Sequence, residues 1–200
     1  MSGKFPKTLP DVVSGKTSIF RAIYHNPATN VDIIPSDIKL RKDVDLEKLK
    51  ELVYEVAESV YDFVLIDSSP GFGNNVLDVI RASDKVLVVT TPNIPDVTDA
   101  SKIVQLAKQM RKKVFIVVNR VKRENYELEI SRIKRILKAP ILAIIPEDEK
   151  VPESISKGLP VVVYKRGSKA STAFKRLAAS LIGTKYKPRV IDRIKWFLGF

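Results

Sequence analysis

Three polar tips on hydrophobic runs are the residues here whose types and spacing could do chemistry. Asp67 ends the apolar run Phe63–Ile66 and precedes a turn of Ser68, Ser69, Pro70 and Gly71. Asn119 and Arg120 end KVFIVVNR, and Glu147 and Asp148 end PILAIIPED. A short, all-apolar, β-rich run reads as a strand buried on both faces, the kind found in parallel sheets. Ligands bind at the carboxyl ends of such strands. A carboxylate buried there is costly unless a cation, often a metal ion with a nucleotide, offsets it. A lone Asp at that place suits equally well as a cap on the following turn. Three strands that end alike weigh more than one, because right-handed crossovers bring all the ends to one edge of the sheet.

The elements that must position these tips can be read along the chain. Leu9–Ser14 and Thr17–Tyr24 read as short helices parted at Gly15. Ser14–Thr17 resembles the end of a phosphate-binding loop, but the full pattern requires Gly where this chain has Pro10, and a strand before it. Gly15 as a helix stop and Thr17 as a cap account for the same residues. Val31–Ile34 reads as a strand closed by Pro35. Asp45 caps a helix to about Ser59, with Leu46, Leu49, Leu52, Val53 and Val56 at helical spacing. Helices are expected at Asn74–Ala82, Asp96–Lys112, Glu124–Lys138, Val151–Lys157 and Ser168–Ile182. Strands are expected at Lys85–Thr90, Lys113–Asn119 and Pro140–Ile145, and an extended run at Val161–Tyr164. Apolar strands alternating with amphipathic helices predict an α/β fold, three layers of α/β/α around a mostly parallel sheet.

The totals exclude several chemistries. Two hundred residues, 44% of them hydrophobic, suit one core-bearing domain with an appendage. The chain has no cysteine, which removes disulfides, thiolate metal sites and cysteine nucleophiles. Its single histidine, His25, excludes a multi-histidine metal site and, beside an Asn-Pro turn, a Ser-His-Asp triad. No apolar run reaches the roughly 18 residues that a membrane span needs, and Met1–Pro10 lacks the apolar centre of a secretory signal. An intracellular protein is the default expectation.

The net charge is +12, and Lys157–Phe200 carries eleven Lys and Arg against one acid, Asp192. The carboxyl end therefore faces an anionic partner, lipid or nucleic acid. On a helical wheel Pro188–Phe200 gathers Val190, Ile191, Ile194, Phe197 and Leu198 on one face, with Asp192 and Lys195 opposite and Trp196 toward a flank. A short basic helix of this kind reads as an interfacial membrane anchor, with a helix docked on the domain as the plainer alternative. Lys165, Arg166, Lys185 and Lys187 would add attraction to anionic lipid, on the order of 1 kcal/mol for each charge near the surface. The expected division is 1–184 for the α/β domain and 185–200 for the tail.

Taken together, YDFVLIDSSPG (Tyr61–Gly71), TTPNIPDVTDA (Thr90–Ala100), VVNRV (Val117–Val121), IPED with VPES (Ile145–Asp148, Val151–Ser154) and KGLPVVVY (Lys157–Tyr164) carry a resemblance. Their order and spacing are similar to those of the MinD/ParA-type ATPases, and most of all the MinD group. The resemblance implies a P-loop NTPase-like fold that binds ATP and magnesium and hydrolyses ATP with water. It implies that Asp67 acts through water on magnesium and that Gly71 lies in the loop sensing the terminal phosphate. It gives Asn119 and Arg120 the pair whose Asn reads adenine, and Pro146, Glu147 and Asp148 the loop around the base. It makes Val190, Ile191, Ile194, Lys195, Trp196, Phe197 and Leu198 a membrane-targeting helix on the inner face of the cell membrane. Partners implied are an anionic membrane surface, a second copy of the chain and a division or positioning protein. A ParA-like DNA partner is disfavoured, since DNA phosphates have no use for Phe197 and Leu198.

The same resemblance sets a departure. The family opens with a strand, a phosphate-binding loop with two lysines and a second strand with an acidic motif, and these 200 residues contain none of the three. The expectation is a sheet incomplete at the amino terminus and weak or no binding of ATP by this chain alone. A truncated gene model, a fragment and a degenerate paralogue acting as a non-enzymatic interaction module all remain open.

Overall fold

The computed structural model describes residues 5–36, 46–58, 61–68, 71 and 73–186. The expected tail helix, with Val190, Ile191, Ile194, Lys195, Trp196, Phe197 and Leu198, lies outside the described residues, as do Ser69 and Pro70. The chain divides into two compact units, Met1–Asp84 and Lys85–Phe200.

In the first unit, α1 (Leu9–Val13) starts on a capping box between Thr8 and Asp11. It stops at Gly15, whose φ of +74° is left-handed backbone that favours glycine. The expected helix at Thr17–Tyr24 is instead a single 3-10 turn, Ile19–Ala22, running into a strand. That strand, β1 (Tyr24–Asn26), pairs antiparallel with β2 (Val31–Ile33). The turn between them is held by the Asn26 side chain, which accepts a bond from the Ala28 N–H at 3.1 Å. Tyr24 is drawn into this ladder, which ends the helical run. Two helices follow, α2 (Leu46–Ala57) and α3 (Asn74–Ala82). The core gathers Val12, Val13, Ile19, Ala22, Leu52 and Val56, with Leu9, Ile34 and Tyr61 against it.

The expected strand at Phe63–Ile66 is corrected here. Residues 61–68 pair with no strand among the described residues. Phe63 is 54% exposed and Leu65 86%. A run of apolar β-branched residues becomes a buried strand only where neighbouring strands satisfy its backbone and layers cover its faces. No described strand does so.

The second unit alternates strand and helix: β3 (Lys85–Thr90), α4 (Ile94–Gln109), β4 (Lys113–Val121), α5 (Ile130–Leu137), β5 (Ile141–Pro146), α6 (Lys150–Ser156), α7 (Val161–Tyr164) and α8 (Lys169–Leu181). The sheet runs β3-β4-β5 and is parallel throughout. Val117, Ala143 and Ile145 face α8, packing with Ala170, Ala173, Phe174 and Leu177. Ile116 and Val118, fully buried, point to the opposite face by the pleat, and α4 packs on β3 and β4. Helices thus cover the sheet on both faces, giving three layers, α/β/α.

Two boundaries moved for local reasons. α4 begins two residues before the expected Asp96, because Asn93 caps it by accepting the Asp96 N–H at 2.9 Å. α5 begins only at Ile130, because the preceding loop is pinned by Glu127. Val161–Tyr164, expected to be extended, is one helical turn. It has no described ladder partner, and its backbone is satisfied instead by bonds from the Tyr164 and Lys165 N–H groups to the carbonyls of Pro160 and Val161, both 2.9 Å.

Candidate functional site

Sheet geometry brings five of the expected site residues together at the carboxyl ends of adjacent strands. Pairing passes from Val118↔Ile144 to Val121↔Pro146, so β4 carries one residue more than β5 across this step. The extra residue makes a bulge at Asn119 and Arg120, and Arg120 takes a φ of +58° to form it. Left-handed backbone at an Arg costs on the order of 1 kcal/mol, strain of a kind that collects at functional sites. The bulge is fixed from β5: the Glu147 N–H donates to the Val121 carbonyl at 3.0 Å. Arg120 Nε donates to Glu147 Oε2 at 2.9 Å, and this bond holds the guanidinium pKa above its ordinary value. Asn119 is half-buried, and among the described residues no partner engages its side-chain amide. An amide so placed offers both a donor and an acceptor to a planar ligand edge.

In front of the bulge lies a cleft of about 270 Å³, within the second unit. One wall is the β3–α4 turn. There Thr91, Asn93 and Asp96 form a closed network: Thr91 Oγ1 donates to Asp96 Oδ2, and Asn93 Nδ2 donates to Thr91 Oγ1 at 2.6 Å and to Asp96 Oδ2 at 2.9 Å. The other wall is the loop after β4. The Glu127 carboxylate accepts the backbone N–H groups of Lys122 at 3.1 Å and Arg123 at 2.7 Å. The Leu128 N–H bonds to the Pro92 carbonyl at 2.8 Å, which ties the two walls together. Tyr126, 76% exposed, stands at the rim. Arg120 and Glu147 close the back.

Asp148 does something else. Its Oδ2 accepts the Ala170 N–H at 2.9 Å, near the start of α8, and its Oδ1 accepts the Lys150 N–H at 3.0 Å, at the start of α6. Burial pushes its pKa up, but the bonds from Ala170 and Lys150, the Ser168 hydroxyl and the charge of Lys169 together carry it below the ordinary carboxylate value. A carboxylate spent on two helix N-termini is a positioning group: it holds the Pro146–Asp148 loop against α6 and α8.

Asp67 and Gly71 belong to the first unit. Asp67 is exposed at the end of the unpaired stretch, and Gly71 takes a φ of +106° that only glycine adopts easily. Among the described residues no cluster of three or more His, Asp or Glu could hold a metal ion. Magnesium, which keeps several waters and uses one or two carboxylates, does not require such a cluster, but Asp67 is exposed rather than buried at a strand end, so no desolvation calls for a cation there. Sequence reasoning did not single out Thr91, Asn93, Asp96, Lys122, Tyr126 or Glu127 as site residues. The available signal was the polar turn TTPN directly after an apolar strand-like run.

A protein-family model described as ParA, NUBPL iron-transfer P-loop NTPase, matches residues 36–182. The chain belongs to the ParA family. An uncharacterized ATP-binding protein of Methanocaldococcus jannaschii is 34% identical over 202 residues, spanning all of this chain and 75% of the relative. Among solved structures, the septum site-determining protein MinD of Pyrococcus horikoshii, complexed with Mg-ADP, superposes with a TM-score of 0.80 at 29% identity, covering 90% of this chain and 75% of the other. MinD in a MinC:MinD cell division complex of Aquifex aeolicus gives 0.81 at 27%, covering 93% and 77%. This ParA-family chain is thus similar to MinD in both sequence and fold.

Proposed function

We propose that the cleft in front of Asn119 holds the adenine of ATP, and that the chain is a MinD-like protein that positions or regulates the division machinery at the inner face of the cell membrane. The observation that carries this reading is the bulge at Asn119 and Arg120. It leaves the half-buried Asn119 amide without a partner among the described residues, next in sequence to Arg120, which lines a cleft with both walls pinned. Arg120 and Glu147 form the back of that cleft, Pro146 its strand-end frame, and Asp148 holds the frame from behind. The family resemblance would make Asp67 a residue that acts on magnesium through water and Gly71 part of a phosphate-sensing loop, both within the first unit. Bound Mg-ATP supplies a hydrolysable phosphoanhydride; the described residues bind and orient the base.

The Gly-Lys phosphate loop pattern is absent from these 200 residues. Backbone N–H groups and a lysine from such a loop provide most of the grip on phosphates. The chain on its own therefore binds ATP weakly. Isothermal titration with Mg-ATP tests this, and micromolar affinity would overturn it. An ATPase assay of this chain separates this reading from a second one, a membrane-bound interaction module without turnover.

Membrane association rests on the sequence of Pro188–Phe200. Among the described residues no helix is long and apolar enough to cross a membrane. One short amphipathic helix binds weakly, and two in a dimer bind through avidity. Sedimentation with anionic vesicles should pellet the whole chain but not a version ending at Gly183. Equal pelleting of the two removes the anchor.

A further inference from the structure

We propose that the outer edge of β5 is a docking site for an acidic, extended segment of a partner protein, which adds to the sheet as a further strand. Among the described residues β5 pairs only with β4, so its other side presents backbone N–H and C=O groups without a ladder. Along that side runs a trough of about 880 Å³. Its floor is the β5 edge itself, Pro140–Ile144, and α5 and α8 line it with Ile130, Lys134, Ala173 and Arg176.

Two features distinguish this edge from an ordinary solvated one. Natural edge strands are guarded by charges, prolines or bulges along their length. Between Pro140 and Pro146 this one reads Ile-Leu-Ala-Ile-Ile, without a charge; its guards are the two prolines and one extra residue, Leu142, where pairing passes from Ile116↔Ile141 to Val117↔Ala143, and beyond it Ile144 is 44% exposed. Beyond the bulge, Ala143, Ile144 and Ile145 at about 3.3 Å each present about 10 Å of regular edge, enough to start a short strand. The charged residues lining the trough are all cations, Lys134, Lys138 and Arg176, and none of the three is in an ion pair among the described residues.

Together these choose the occupant. Strand addition draws affinity from main-chain bonds, and flanking side chains set specificity. An apolar floor with a cationic rim fits a segment that alternates β-branched residues with Asp or Glu. A nucleic acid would satisfy the cations but offers no strand backbone and makes no use of Leu142 and Ile144. The proposal does not depend on the nucleotide reading, since the trough and the cleft share no lining residue.

The test is fluorescence anisotropy of the full chain with a labelled ten-residue peptide alternating Glu with Val and Ile. Three comparison probes are the same peptide with Lys for Glu, the acidic peptide N-methylated at alternate residues, and a DNA duplex. The acidic peptide should bind at least tenfold tighter than the basic one. The variant carrying Lys134→Glu and Arg176→Glu should lose at least tenfold, while Lys157→Glu, outside the trough, should not. N-methylation on the pairing edge should abolish binding. Equal binding of acidic and basic peptides, no response to the double substitution, or full binding of the N-methylated peptide would each overturn the proposal. So would DNA binding that depends on Lys134 and Arg176 while the acidic peptide does not bind.

Discussion

Replacing Asp148 with Ala should destabilise the second unit by removing two helix caps at once. Its two oxygens accept N–H groups at 2.9 Å and 3.0 Å from the starts of α8 and α6. Losing one such cap typically costs about 1 kcal/mol, so the pair amounts to about 2 kcal/mol. For a protein of this length that is a fall in Tm of about 4–8 °C. Asp148→Asn keeps one acceptor oxygen and should fall about half as far. The pH dependence has a definite sign. Asp148 titrates below its ordinary value in the folded chain, so the unfolded chain takes up the proton first as pH falls. The stabilisation is therefore complete above the unfolded carboxylate value of about 3.8 and is lost as pH drops through the lower folded value. Thermal unfolding followed by circular dichroism, from about pH 7 down to the lowest pH at which all three proteins fold, reads both effects. An Ala variant that melts with the parent at neutral pH would refute the double cap. So would a gap between parent and Asn variant that fails to narrow as pH falls.

Two further predictions separate core from surface. Ile116→Ala, at a fully buried position of the central described strand, should cost about 2–5 kcal/mol, whereas Leu65→Ala, 86% exposed, should change the urea midpoint of unfolding by almost nothing. Asn93→Ala removes the cap of α4 and its bonds to Thr91 and Asp96, lowering Tm by about 2–4 °C and loosening one wall of the cleft, which amide exchange at Asp96 and Val97 should report.

Where local and global demands agree, the sequence was legible. Lys85–Thr90 and Asn74–Ala82 form the expected strand and helix with the same bounds, since their residues have one comfortable conformation and a partner waiting. The parallel sheet and its helical layers follow from the alternation of such runs. Legibility failed where a tertiary partner decides. Val161–Tyr164 has strand-like residues and no ladder, so one helical turn satisfies its backbone. Phe63–Ile66 is as apolar as β3, but a buried strand is a property of its neighbours as much as of its own residues. The site divides in the same way. Asn119, Arg120 and Glu147 were readable as polar tips on buried strands. The bulge that aims them depends on a one-residue difference in pairing between β4 and β5, which no single run of sequence expresses. Asp148 was readable as a fourth polar tip, but its engagement by two helix starts, one of them 22 residues away, was not.

The account stands on recognition of adenine beside Asn119. Nitrogen–proton NMR of the full chain, titrated in parallel with Mg-ATP and Mg-GTP, tests it directly even when binding is weak. ATP should shift the side-chain amide of Asn119 and the backbone signals of Arg120 and Glu147. GTP should not, and Asn119→Ala should abolish the discrimination. Equal shifts with the two nucleotides, or ATP shifts confined to residues away from this rim, would contradict it.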